Sequence, residues 1–403
     1  MKRRASTSLP PGFGTIWSTV ALDLVGFGLV FPILPIYARR FHVSPAGATG
    51  LVAVFAGATF VFSPIWGRLS DRIGRKPVLL ISLAGTAIGS LLTGIAGGVG
   101  LLYLGRLVDG ISGASVSVAQ ASVGDVAPPN ERPRLFGLLG AAFGIGFVVG
   151  PALGALASVW GPRVPFYLAG GLAGVNALIA IRRLPETHRV GDDRVSAPSR
   201  EMDAAAPALR ARGVPELIGV AFFAWLAFSA FEATFALFGQ RKLGFDVGSS
   251  AAVFAVVGLV IVAVQAGLVH PVVDRLGEGG TLRAGLVANA LGLLLLAFAS
   301  SWSAVVPALL ALTVGQGLVQ TTMSSALAGR VGPRQRASVL GAQQSAGGLA
   351  RALGPLGGGF LLGHAGLGTP YLAGAAGMAG GFLLFNAGRL RHRAAGRASS
   401  RAA

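Results

Sequence analysis

The sequence predicts an all-α membrane protein of twelve transmembrane helices, built as two six-helix repeats. Three observations predict it. Only 12% of the 403 residues are charged, 53% are hydrophobic, and the mean hydropathy is +0.69. A soluble domain carries about a quarter charged residues, so no ordinary soluble fold hides this much apolar surface. Second, apolar runs recur along the chain, each long enough to approach or cross a hydrocarbon layer as a helix. Third, the formal charge of +18 is spread over alternate ends of those runs. That distribution argues against a basic nucleic-acid-binding patch and for membrane topology.

The elements follow in order. A basic tail, 1–12, opens with Met1-Lys2-Arg3-Arg4. The first apolar run covers 13–37. A cleaved leader is the alternative, but the run is too long, lacks a clear small-residue cleavage site, and contains Asp23, Pro32 and Pro35. It reads as a retained first span whose outer half the two prolines bend. Spans two to six fall at 48–66, 77–97, 101–123, 135–159 and 165–181, completing an N-terminal bundle over 13–182. The segment 183–213, rich in Arg, Asp, Ser, Ala and Pro, has no apolar run and reads as a cytoplasmic linker. Spans seven to twelve fall at 215–240, 249–273, 282–299, 305–328, 339–362 and 371–390, a C-terminal bundle over 214–390. A basic tail, 391–403, closes the chain. The 62 glycines suit close approach of helix backbones in lipid.

Orientation follows from counting. With both termini inside, 26 of the 33 Lys and Arg residues lie on the cytoplasmic side, 5 outside and 2 within spans. The asymmetry obeys the positive-inside rule for an even number of spans. The halves also repeat. Asp71-Arg72-Ile73-Gly74 recurs 203 positions later as Asp274-Arg275-Leu276-Gly277. Gly150-Pro151 recurs 204 positions later as Gly354-Pro355, with Arg132 and Gly137 matched by Arg336 and Gly341. Two parallel repeats related by an axis along the membrane normal follow.

A charge at the centre of a span costs about 2.5–3.5 kcal/mol on insertion scales and needs a partner or water. The candidates are Asp23 in span one, Arg106 and Asp109 in span four, Glu232 in span seven and Arg351 in span eleven. Gln316 and Gln320 add polarity to span ten. Asp23 reads equally as a structural carboxylate. Arg106 and Asp109 share a helix face and can neutralise each other; alternatively Arg106 tunes a nearby acid. Glu232 lies in F-S-A-F-E-A-T-F, among aromatic rings. It can hold a proton or a cationic substrate but not both; pairing with Arg351 or a backbone donor is the alternative.

The polar stretch Gly67-Arg68-Leu69-Ser70-Asp71-Arg72-Ile73-Gly74-Arg75-Lys76-Pro77 links spans two and three as a tight turn at the membrane face. Gly67 removes a side chain where helices can meet. Asp71 suits the positive end of another helix. Arg75, one turn from Asp71, has Asp125 within its expected reach. An orientation signal alone would need neither Asp71 nor Gly74. In span five, Gly146, Gly150, Pro151 and Gly154 make a smooth packing stripe.

The pattern G-x-L-x-D-R-x-G-R-K resembles the loop between helices two and three of the major facilitator superfamily. L-Y-L-G-R resembles its helix-four motif, and G-x-x-x-G-P-x-x-G its helix-five exporter motif. Ala155 stands where that motif has a further glycine. With L-D-L-V-G-F-G-L-V-F-P-I-L-P, these motifs are most similar to the twelve-helix drug:proton antiporters of the tetracycline-efflux type. The resemblance implies a major facilitator fold whose helices one, four, seven and ten line a central cavity. It implies that Asp71, Arg75 and Asp125 form a conformational gate with Gly67, Arg72 and Gly74, and that Arg106 takes part in proton transfer. That branch carries an acid in mid helix three where this chain has Gly89, and span nine has none. The departure argues against a tetracycline–metal complex and leaves proton-driven export of another amphipathic compound.

A proton-coupled importer of a small metabolite shares the fold, but the helix-five motif argues against it. A membrane enzyme or receptor is the remaining class, and no clustered catalytic set supports an enzyme. No phosphate loop is present, so the proton gradient is the expected energy source and no cofactor is expected. The histidines show no metal-ligand spacing, and cysteine is absent. The expected partners are protons, a small molecule and lipid, around a monomer in the inner membrane.

Overall fold

The computed structural model describes residues 9–127, 131–187, 207–332 and 335–402. Residues 1–8 of the expected N-terminal tail and 188–206 of the expected linker lie outside them.

The regular structure of the described residues is all helical, in the order α1 Phe13–Val30, α2 Leu34–Arg39, α3 Pro45–Ile73, α4 Arg75–Gly94, α5 Val99–Ile111, α6 Ser115–Val126, α7 Arg132–Ser158 and α8 Val164–Arg183. Then follow α9 Val214–Leu243, α10 Val247–Ala263, a π-turn at Val264–Leu268, α11 Val269–Phe298, α12 Trp302–Ala328, α13 Arg336–His364 and α14 Thr369–Ala402. Nine helical stretches among the described residues are long and apolar enough to cross a membrane. One of them, Val247–Phe298, is 52 residues long and contains two predicted spans; α13 and α14 lie outside the nine and hold the last two. The glycine-rich α13 also carries Arg351, which lowers its hydropathy. Large apolar side chains such as Leu178, Phe298 and Leu383 project outward, as a lipid solvent permits.

Two predicted spans are broken. The first stops at Val30 and resumes at Leu34 around Pro32, which has no N–H to continue the ladder. The fourth divides into α5 and α6 at Ser112–Ala114, where the sequence predicts a continuous helix. The cause is Ser82 on α4. Its hydroxyl donates to the Ser112 carbonyl at 2.5 Å and accepts the Ala114 N–H at 3.2 Å. The freed backbone groups are thus satisfied inside the bundle, as lipid requires.

Single glycines make the sharp corners. Gly74, at φ 101°, is all that separates α3 from α4, and Gly277, at φ 67°, bends α11 at the repeat-equivalent place. Both conformations are closed to most L-residues. At the start of α10, Asp246 accepts the Ser249 N–H at 2.7 Å and its hydroxyl at 2.6 Å. These hydrogen bonds hold the Asp246 carboxyl below the usual carboxylate range.

The chain packs as two units. One gathers Met1–Phe41, Val54–Asp192 and Asp246–Val256; the other gathers His42–Ala53, Asp193–Phe245 and Val257–Ala403. In the first, α1 packs on α7 and α8, and α4 on α5 and α8. In the second, α9 packs on α13 and α14, and α11 on α12 and α14. Lipid supplies little hydrophobic drive between helices, so backbone-close glycine contacts and buried hydrogen bonds hold these pairs. Asn176 on α8 donates to the Thr19 carbonyl of α1 at 2.8 Å, and Ser229 on α9 to the Ala350 carbonyl of α13 at 3.1 Å.

Candidate functional site

The corner at Gly74 gathers several charged side chains around Arg75. Arg75 is only 4% exposed. Its Nη1 donates to Asp71 Oδ1 at 2.5 Å and to Ser70 Oγ at 2.6 Å, and its Nε to Asp125 Oδ2 at 2.9 Å. The guanidinium thus ties the α3–α4 corner to the end of α6. The Asp71 side chain is 52% exposed and that of Asp125 15%, so the Asp125 pair is the better shielded from water. Asp71 pairs with Arg75 within its own corner. A Cβ at Gly67 would meet nothing within 4 Å, so the close approach expected there is not made. Arg72 is exposed beside this cluster.

Sequence reasoning missed one member of this cluster, Glu186. Its two carboxylate oxygens accept the N–H groups of Arg75 and Lys76 at 2.9 and 3.1 Å. These are unsatisfied donors at the positive end of α4, where an anion is favoured. A side chain at Gly74 would strike Glu186 Oε2 at 2.5 Å. The sequence signal for it is an acid just beyond the last arginines of span six, Arg182 and Arg183. The second unit lacks the guanidinium. The repeat-equivalent of Arg75 is Glu278, whose carboxylate accepts the Ser325 hydroxyl.

Asp23 sits opposite the break between α5 and α6. Ser115, the first residue of α6, donates its hydroxyl to Asp23 Oδ2 at 2.5 Å, while Oδ1 is buried without a hydrogen-bond partner among the described residues. The break therefore leaves the first side chain of α6, Ser115, within reach of a carboxylate in mid-span. Opposite α4, Arg106 Nη1 pairs with Asp109 Oδ2 at 3.0 Å, and Nη2 donates to Thr93 Oγ1 at 3.1 Å. Both residues are buried and neutralise each other. Gly89 faces this pair. A Cβ there would lie 2.7 Å from both Asp109 Cβ and the Gly105 carbonyl oxygen. No acid fits at position 89 while α4 and α5 pack this closely; the carboxylate on this face comes from α5 instead.

In the second unit, Glu232 is 7% exposed, with no hydrogen-bond or ion-pair partner among the described residues. The direct Glu232–Arg351 pair is not formed. The Arg351 guanidinium instead lies 4.4 Å over the Trp225 ring and interacts with Glu232 only at longer range. Gln316 accepts a hydrogen bond from Asn289 Nδ2 at 2.9 Å, which locks α12 to α11. Gln320 is half-buried one turn further on.

The span-five glycines face α1, the helix that carries Asp23. A Cβ at Gly150 would lie 2.7 Å from the Gly28 backbone and the Val25 carbonyl oxygen, and one at Gly154 2.7 Å from the Leu29 carbonyl oxygen. Gly146 likewise abuts Leu24. Pro151 falls within the same helix, with its Cδ beside Gly28.

The chain matches the Major Facilitator Superfamily over residues 16–355 and 266–402. It is 34% identical over 346 residues to the tetracycline resistance protein, class E, of Escherichia coli, covering 84% of each chain. It is 29% identical over 293 residues to multidrug resistance protein 2 of Bacillus subtilis (strain 168), covering 72% of each. In fold it is similar to the human organic anion transporter MFSD10 (TETRAN), with TM-score 0.69 and 24% identity, over 94% of this chain and 100% of that one. It is also similar to the nucleoside transporter NupG, with TM-score 0.76 and 15% identity, over 94% and 99%.

Proposed function

Because this chain belongs to the major facilitator superfamily, and is a multi-pass membrane transporter and not an enzyme, we propose that it exports small amphipathic compounds in exchange for protons. The carrying observation is Glu232, a buried carboxylate on aromatic-rich α9 that no described residue pairs. A site of this kind holds a proton or a cationic group, and occupancy by one excludes the other. That competition is the least that antiport requires. Asp23, hydrogen-bonded by Ser115, and the Arg106–Asp109 pair are the proton-handling groups of the first unit. The names of the relatives, tetracycline and multidrug resistance proteins, support export of drug-like molecules.

The protein acts as a monomer in the cell membrane with both termini cytoplasmic, as the Lys and Arg asymmetry supports. The proton gradient drives it without a cofactor. Arg75, Asp71, Asp125 and Glu186 form the cytoplasmic latch that turnover must open.

Glu232→Gln keeps the shape and removes the ionisable group. In inside-out vesicles, substrate-dependent proton movement, read with a pH-sensitive dye, should fall at least about tenfold, or about 1.4 kcal/mol of transition-state free energy. Retained coupling would exclude Glu232 from this role.

A further inference from the structure

Two charged side chains in the second unit, Glu232 and Arg351, interact electrostatically without a direct pair. On α13, Gly347, Arg351, Gly354 and Gly358 follow one stripe against α9. Gly347 makes room for the Trp225 ring, and Gly354 approaches the Leu226 carbonyl oxygen and Ser229. Arg351 is the long side chain in this stripe of small ones, and it emerges over Trp225. Its Nε donates to the Gly347 carbonyl of its own helix at 3.4 Å. No described residue accepts from its two Nη groups. Glu232 lies seven residues beyond Trp225 on α9, about 10 Å along the axis.

A guanidinium and a carboxylate in one low-dielectric bundle attract strongly unless something holds them apart. Here the Trp225 face holds the guanidinium, through the cation–π attraction that favours arginine on tryptophan. What remains is a fork of free N–H donors at one end, an unpaired acceptor at the other, and an aromatic shelf alongside. A carboxylate or similar planar anion matches the fork with two parallel hydrogen bonds.

We infer that α9 and α13 form a two-ended site for an amphipathic zwitterion. Its anionic group lies on Arg351 above Trp225, and its cationic group on Glu232. The cationic half rests on the reading of Glu232 given under the proposed function; the anionic half rests on Arg351 alone.

Rhodamine B and its ethyl ester test this, since they share one cationic aromatic skeleton and differ by a carboxylate. Binding to the purified full-length protein is read by fluorescence anisotropy. The wild type should bind rhodamine B at least about tenfold more tightly than the ester. Arg351→Gln should abolish the preference while leaving ester binding intact, Arg351→Lys should retain part of it, and Glu232→Gln should weaken both probes. Trp225→Ala, which removes the shelf, should also lose the preference and serves if Arg351→Gln does not fold. A wild type without preference, or an Arg351→Gln variant that weakens both probes equally, overturns the inference and leaves Arg351 as a helix strap. If Glu232→Gln changes neither probe while Arg351→Gln still removes the preference, the site is anion-only. That result rejects the zwitterion and the Glu232 reading together, whereas the earlier outcomes reject the Arg351 assignment alone.

Discussion

Arg75→Ala should abolish transport and lower the stability of the purified protein by about 1–3 kcal/mol, the cost of leaving charged hydrogen-bond acceptors unpaired where water still screens them in part. The guanidinium is 4% exposed and serves Asp71, Asp125 and Ser70 at once. Its partners differ in shielding, so their variants should differ too. Asp71→Asn, at a half-exposed carboxylate, should cost no more than about 1 kcal/mol, because surface pairs are screened. It should lower transport while membrane insertion stays intact. Asp125→Asn should cost more than Asp71→Asn in both measures. Arg75→Lys should rescue little, since an ammonium cannot meet two carboxylates and a hydroxyl in the planar geometry of the fork. Thermal unfolding in detergent and transport in inside-out vesicles read the two effects. Equal stability losses for Asp71→Asn and Asp125→Asn would refute this account of the latch.

Gly150→Leu should be the most damaging single change on α7. The atoms that a new side chain would meet, Gly28 Cα and the Val25 carbonyl oxygen at 2.7 Å, belong to backbone. Backbone cannot swing aside, so α1 and α7 must part. Overpacking costs about 1–3 kcal/mol, and more where the neighbours are rigid. The helix displaced carries Asp23, so transport should fail even in molecules that fold. Gly137→Leu, on the same helix with nothing within 4 Å of its Cβ, is the matched control and should behave as wild type. Detergent-solubilised yield by size exclusion and residual transport measure both variants. A Gly150→Leu protein with normal yield and normal transport would show that this contact is dispensable.

Several site features were legible before any coordinates. The Asp71–Arg75 pair is close in sequence, so proximity alone foresees it, although the Gly74 corner between α3 and α4, not a continuous helix face, sets its geometry. The Arg106–Asp109 pair follows from a local rule of helix spacing, and the glycines of α7 announce close packing by composition. Other features were not legible. Glu186 reaches the α4 N-terminus across 111 residues. Ser82 interrupts the fourth span across about 30 residues of sequence. The hydrogen bond from Asn289 to Gln316 joins residues 27 apart in the chain. Gly67 looked like a contact and makes none within 4 Å.

The amino-acid sequence by itself determined that the chain enters a membrane, where its helical runs lie, and that its halves repeat. Those properties are sums over neighbouring residues: transfer of apolar side chains, and the sidedness of lysine and arginine. Only the tertiary structure decided which buried charges are satisfied. Asp109 finds Arg106 three residues away, Asp23 finds Ser115 across 92 residues, and Glu232 finds no direct partner among the described residues. The physical reason is range: pairing falls off over a few ångströms, and those distances are set by how helices remote in the chain pack against one another.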